Sequence, residues 1–142
     1  MPARIDLYRT SFGDKERHLA SMGGFTVSTF RYDSGIEALR IRNQRGEIIV
    51  LPFKGQQIWR AAFDGRELTM KSMFDEPVDT QTYLETYGAF MIHCGLTGVG
   101  APGPSDNHPL HGELPNAPFQ SAWLEFDEPA GRLIVGGSYR HT

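Results

Sequence analysis

Short apolar runs separated by turn residues dominate the middle of the chain. From Ile36 to Met70, runs rich in Ile, Val, Trp and Phe alternate with Arg-Gly, Lys-Gly and Asp-Gly breaks. Such spacing is typical of strands joined by tight turns. We predict strands at Ile36–Ile41, Ile48–Leu51 and Ile58–Phe63, with turns at Asn43–Gly46 and Asp64–Gly65.

The flanking segments continue this pattern. "FTVSTFRY" before it and "SAWLEFDEPAGRLIVGGSYRHT" after it predict further strands, the last two joined around Pro129–Gly131. Helical signals are confined to "DTQTYLETYGAFM", where Asp79 or Thr80 can cap one or two turns before Gly88. The predicted fold class is therefore all-β, an antiparallel β-sandwich. Trp59 and Phe63, expected on one face of an alternating strand, are assigned to its core.

The segment from Gly88 to Pro118 has a different composition. Glycine and proline crowd together there with polar turn residues, and three of the five histidines lie inside it. Long irregular loops in small domains are usually functional or disordered. The histidines favour function, and we predict a long site loop over residues 88–118 at one end of a sheet.

Composition and charge narrow the possible partners. The 142 residues suffice for one domain, and 14 Lys and Arg against 17 Asp and Glu leave a net charge of -3 without a basic block, which argues against nucleic acid. Cys94, the single cysteine, cannot form an internal disulfide and suits a reducing compartment. No apolar run reaches signal-peptide or membrane-spanning length. We therefore predict a cytoplasmic protein without a membrane partner.

The stretch "HPLHGELPNAP", His108–Pro118, contains the most specific chemistry. One interpretation is a metal site formed by His93, His108 and His111 with Asp106 or Glu113, as in a metal-dependent cupin-like enzyme. Pro109 holds the backbone between the two nearer histidines extended, however, and the H-x-H strand usual in cupins is absent. A second interpretation is a turn that uses its histidines structurally.

A third interpretation is a sugar site. Opening and reclosing a hemiacetal ring requires one group that protonates the ring oxygen and another that takes the proton from the anomeric hydroxyl, roles suited to His and Glu. Sugar sites also use aromatic faces and forked donors. The chain offers these in Trp59, Arg60, Tyr87, Phe90 and Arg140.

The segment "GAFMIHCGLTGVGAPGPSDNHPLHGELPNAPFQSAW" resembles aldose 1-epimerase-like proteins of the galactose mutarotase superfamily. It is most similar to an uncharacterised branch in which a C-G-L stretch precedes P-L-H-G-x-x-x-N-x-P, matched here by Cys94–Leu96, Pro109–Gly112, Asn116 and Pro118. The resemblance extends from about Ile36 onward and covers the N-terminal half of the superfamily's supersandwich.

This resemblance implies specific roles. His111 inherits the position of the histidine that binds sugar beside the reacting centre, and His141 the position of the general acid. His93 stands where the family has its ring-binding arginine, and the general-base glutamate is expected outside this chain. We therefore expect catalytic roles for His111 and His141 without a metal or cofactor. Substrate-binding roles are expected for His93, His108, Arg60 and Asn116.

The length of the superfamily's domain leaves the organisation open. A supersandwich is about twice as long as this chain. Residues 1–142 are thus either a single β domain or the N-terminal half of a supersandwich. We expect a strand edge that pairs with a second copy or with a C-terminal half. The function expected is that of a mutarotase acting on a small sugar, and a non-catalytic sugar-binding module on the same scaffold is the alternative beside the cupin-like enzyme.

Overall fold

The structure is a computed structural model that describes residues 3–142. Within that range it contains strands and three short 3-10 helices but no α-helix, and no helix there is long and apolar enough to cross a bilayer. The strands are β1 (Ala3–Leu7), β2 (Arg17–Met22), β3 (Phe25–Arg31), β4 (Glu37–Asn43), β5 (Gly46–Leu51), β6 (Gln57–Phe63), β7 (Arg66–Glu67), β8 (Ser121–Asp127) and β9 (Arg132–Ser138). The 3-10 helices are Arg9–Ser11, Tyr83–Thr86 and Leu114–Asn116.

Two antiparallel sheets form the fold. The larger has the order β2-β3-β4-β5-β6-β7, so each strand pairs with its neighbour in the sequence. The smaller has the order β1-β8-β9, which joins the two ends of the chain. The predicted all-β antiparallel sandwich is confirmed, and the strands predicted from alternation correspond to β3 to β6, β8 and β9.

The strands β1, β2 and β7 were not predicted. All three carry charged side chains and lie at a sheet edge, where one side of the strand is free to be polar. The predicted helical segment forms one 3-10 turn, Tyr83–Thr86. The expectation that Asp79 or Thr80 caps it was wrong, because the turn begins after Thr82 and has no side-chain cap.

The apolar side chains form a cluster on each face of the larger sheet. Val27, Leu39 and Val50 face the smaller sheet, where they pack with Leu124 in the main core. On the opposite face, a second cluster contains Ile36, Ala38, Ile49, Leu51 and Trp59. Phe74 and Ala89 cover this cluster, so the segment after β7 closes the outer face of the sheet.

A β-bulge in β6 changes the direction of one large side chain. Ile49 pairs with Arg60 and Val50 with Ile58, so Trp59 has no partner in this register. Trp59 therefore packs in the outer cluster, whereas Phe63 lies with Phe25 and other residues that face the smaller sheet. The prediction that Trp59 and Phe63 share one face was wrong, because the extra residue shifts the alternation.

Candidate functional site

The predicted site loop, Gly88–Pro118, is irregular but held together by its own backbone. Gly95 N–H donates to the His111 carbonyl at 2.8 Å, and His111 N–H donates to the Gly100 carbonyl at 2.9 Å. The two ends of the loop are attached to the larger sheet, through Met91 against Ile58 and through Pro118 against Lys54. A loop tied in this way can hold side chains in fixed positions although it contains almost no regular structure.

A cavity of about 490 Å³, here called the site cavity, lies between this loop, the Tyr83–Thr86 turn and the end of the chain. Its volume falls within the range of about 300–1,000 Å³ that is usual for small-molecule sites. It is lined by Gln81, Thr82, Tyr83, Leu84, Pro109, Leu110, Gly112, Glu113, Pro115, Asn116, Tyr139 and His141. Residues from three separate parts of the chain therefore meet at one place.

Among residues 3–142, Glu113 is the only carboxylate that lines the site cavity. It accepts hydrogen bonds from Thr97, at 3.0 Å from the backbone N–H and at 2.5 Å from the hydroxyl. These two bonds lower the pKa of Glu113 below its ordinary value. The carboxylate is therefore ionised and accepts hydrogen bonds. Its lowered pKa makes it a weak base in catalysis.

His141 lies across the site cavity from this carboxylate. Its Nδ1 is 3.2 Å from the hydroxyl of Tyr139, and its Nε2 is 4.0 Å from Oε2 of Glu113. A separation of 4.0 Å is too long for a direct hydrogen bond, so a proton on Nε2 remains available to an oxygen atom of a ligand. When His141 is protonated, Glu113 is its counter-ion.

His111 contacts the wall of the site cavity rather than its interior. Its backbone is left-handed, with φ of 62°, and its ring lies against that of Tyr83 with the centroids 4.4 Å apart. Tyr83 itself lines the cavity, and partial burial raises the pKa of its hydroxyl, which stays neutral and can donate or accept. His111 thus contacts an aromatic residue of the cavity wall.

Asn116 is the buried polar residue of the cavity wall. It is 4% exposed, and its Oδ1 accepts a hydrogen bond of 2.7 Å from the ammonium group of Lys54. Lys54 follows β5 in the turn that leads to β6, and its Nζ also donates to the carbonyl of Thr80 at 3.0 Å. Burial lowers the pKa of Lys54 from 10.5 to about 8.

Three residues predicted to bind substrate lie outside this lining. The Arg60 guanidinium lies over the Trp59 ring and donates to the Gly88 carbonyl. His108 has its Nδ1 2.8 Å from the Pro109 carbonyl and its ring against Gly98. His93 lines a different, largely apolar cavity of about 280 Å³ between the two sheets. Across residues 3–142, no three His, Cys, Asp or Glu side chains lie together as a metal would require.

Comparisons with known proteins identify a family for this chain. Residues 33–142 match the family described as "Domain of unknown function (DUF4432)". The chain belongs to this family. No curated protein matches the sequence.

One solved structure shares the fold of this DUF4432 chain. It is described as a putative aldose 1-epimerase from Klebsiella pneumoniae subsp. pneumoniae MGH 78578, with a TM-score of 0.64 and 17% sequence identity. The alignment covers 99% of this chain and 39% of that one, so the chain spans about two fifths of the length of that protein. The predicted resemblance to an aldose 1-epimerase-like scaffold is thereby confirmed at the level of the fold.

The residues at or beside the site cavity that were not predicted as part of the site include Tyr83, Tyr139, Glu113 and Lys54. Glu113 was predicted only as a possible metal ligand, although it stands two residues after His111 in the most specific motif. Tyr139 stands two residues before His141, which is a usable signal because alternate residues of an extended chain point to one side. No local signal marks Lys54.

Proposed function

We propose that the site cavity binds the ring of a small aldose and that His141 acts there as a general acid in aldose 1-epimerase-like chemistry. The observation that supports this proposal is the placement of His141 Nε2 opposite Glu113 at 4.0 Å, inside a cavity of about 490 Å³. A hydroxyl or ring oxygen of a sugar placed beside this pair can come within hydrogen-bond distance of Nε2. Tyr83 and Tyr139 supply aromatic faces for the apolar side of the ring.

Each proton in the proposed reaction has a donor and an acceptor. His141 donates the proton on Nε2 to the ring oxygen as the bond from this oxygen to the anomeric carbon breaks. A base removes the proton of the anomeric hydroxyl, so the product is the open-chain aldehyde. Rotation about the bond next to the anomeric carbon, followed by the reverse proton transfers, closes the other anomer and restores both groups.

The base in this scheme is proposed to be a glutamate outside this chain. Glu113 is a poor candidate for the role because its hydrogen bonds with Thr97 lower its pKa and so weaken it as a proton acceptor. Its proposed role is to balance the charge of His141 when the imidazole is protonated. A site completed by further sequence or by a second chain fits the 39% coverage of the related structure.

The alternative is a sugar-binding module without catalysis. The low basicity of Glu113, the single carboxylate among the residues that line the cavity, favours this alternative if no base is added from elsewhere. Both functions require sugar binding by the same residues, so binding is tested first. Acceleration of anomer exchange then separates them.

Titration calorimetry with a panel of aldohexoses and aldopentoses tests the proposal, with the matching alditols as ligands that lack the ring. We expect aldoses to bind and His141→Ala to weaken binding about tenfold, as removal of a hydrogen bond to a charged group does. His18→Ala is the matched control, because His18 is exposed on β2 and bonded only to Ser21. Binding of alditols as tight as that of aldoses, or of no aldose at all, would show the proposal to be wrong.

A further inference from the structure

The buried ammonium group of Lys54 has neutral partners. Lys54 is 7% exposed, and its Nζ donates to the carbonyl of Thr80 and to Oδ1 of Asn116. Asp79 and Glu85 raise its pKa through longer-range attraction, but burial has the larger, opposite effect. A buried cation is costly, and an apolar side chain of the same length would avoid that cost. The cost suggests that the ammonium group has a task at this position.

Lys54 determines which way the Asn116 carboxamide faces. An ammonium group has three donors and no acceptor, so the atom 2.7 Å from it must be the amide oxygen. The amide nitrogen Nδ2 is then the polar atom of this side chain that is left for a ligand. Because Asn116 lines the site cavity, its N–H donors belong to the wall on which a ligand would rest.

The backbone around Asn116 is held by the same part of the larger sheet. Gly55 N–H donates to the Ala117 carbonyl at 2.8 Å, and the Gln57 amide donates to the Pro115 carbonyl at 2.8 Å. Gln81 donates to the carbonyl of Asn116 at 3.1 Å. The remaining freedom of Asn116 is therefore the rotation of its side chain, which is the freedom that Lys54 removes.

We propose that Lys54 is a positioning residue that orients the Asn116 carboxamide so that its N–H donors face an oxygen of the sugar in the site cavity. This inference rests on the proposed function and adds to it a donor on the cavity wall. A ligand with an oxygen acceptor near Asn116 is selected over one that carries a donor or an apolar group there. Lys54 itself does not touch the sugar.

Asn116→Asp tests the inference without loss of the Lys54 contact. The aspartate keeps an oxygen for the ammonium group and gains an opposite charge, so we expect a melting temperature equal to or above that of the parent. It replaces the N–H donors with an acceptor, so aldose affinity should fall about tenfold or more. Aldose affinity equal to that of the parent would overturn the inference.

Lys54→Met tests the orienting step itself. Methionine keeps the apolar stem, and we expect affinity to fall about five- to tenfold in the parent background but not in Asn116→Asp. A purely structural role of Lys54 predicts instead that both backgrounds lose affinity equally. Should Lys54→Met fail to fold, the side-chain NH₂ signals of Asn116 in the nuclear magnetic resonance experiment decide.

Nuclear magnetic resonance of the parent protein separates this inference from the proposed function. We expect aldoses to shift the backbone amides of Gly112 and Glu113 together with the side-chain NH₂ signals of Asn116. Shifts at Gly112 and Glu113 without any at Asn116 would refute the orienting role and leave the sugar site in place. Absence of all three shifts would refute the sugar site itself.

Discussion

The ring of His111 lies against the ring of Tyr83, a residue of the wall of the site cavity, with the centroids 4.4 Å apart and the ring planes tilted by 52°. His111→Ala removes this contact, so we expect unfolding free energy to fall by about 0.5–1.5 kcal/mol. Because Tyr83 then loses its support, aldose affinity should fall about tenfold. Thermal denaturation and titration calorimetry measure the two effects.

Two further variants separate the ring of His111 from its backbone. His111 has φ of 62°, which glycine adopts without strain, so His111→Gly should melt no lower than His111→Ala. His108→Ala is the matched histidine control, and we expect it to change affinity much less, since its ring packs on Gly98 within the loop. Loss of affinity in His108→Ala but not in His111→Ala would reverse the assignment of the two residues.

The hydrogen bonds from Thr97 to Glu113 predict how the stability of the fold changes at acid pH. The pKa of Glu113 lies below its ordinary value of 4.5, so these bonds stabilise the fold above that pH and their contribution is lost as the pH falls through the lowered value. Thr97→Val removes the hydroxyl donor and should raise the pKa of Glu113. A carboxyl-carbon resonance titration of Glu113 measures this change. The difference in unfolding free energy between the parent and Thr97→Val should be largest at neutral pH and vanish in strong acid.

The lowered pKa of Lys54 predicts how the stability of the fold changes at alkaline pH. Its folded pKa of about 8 lies below the ordinary 10.5, so between these values the unfolded chain binds more protons and the stability of the parent should rise with pH. Tyr32, with its pKa raised to about 12, acts against this only once unfolded tyrosine ionises near pH 10. Urea unfolding from pH 7.5 to 9.5 should show a positive slope that Lys54→Met lacks. Equal slopes in the two proteins would show that the pKa of Lys54 is not lowered in the folded protein.

On the outer face of the larger sheet, the backbone of Gly88 packs closely against the indole of Trp59. A Cβ atom at Gly88 would lie 2.2 Å from the indole of Trp59, which is 2% exposed and cannot move away easily. We expect Gly88→Ala to lower unfolding free energy by about 1–3 kcal/mol. Gly13→Ala is the control, because nothing lies within 4 Å of a Cβ atom there. Urea denaturation of both variants measures the difference.

The unpaired edge of β9 predicts that the chain associates with another strand. In the part of the chain that the structure describes, β9 pairs with β8 alone, and Ile134 on it is 37% exposed. Since such an edge is open to another strand, we expect this chain by itself to associate and Ile134→Lys to weaken the association. Sedimentation velocity at several concentrations measures the distribution. A parent that stays monomeric throughout would contradict the expectation.

The sequence by itself determined the strands β3 to β6, β8 and β9 and the turns between them. Alternation and turn chemistry are properties of neighbouring residues, so Asn43–Gly46 and Asp64–Gly65 could be predicted as turns without knowledge of the rest. The motif at His108–Pro118 likewise identified the loop that forms one wall of the site cavity. Only the tertiary structure decided the contacts between distant residues.

Lys54 and Asn116 are 62 positions apart, and Glu113 and His141 meet only because β8 and β9 bring the end of the chain back to the loop. The bulge at Trp59 also depends on contacts between residues that are distant in the sequence. Whether β6 carries an extra residue depends on its pairing with β5 and on the packing of the indole against Gly88, neither of which a local pattern contains.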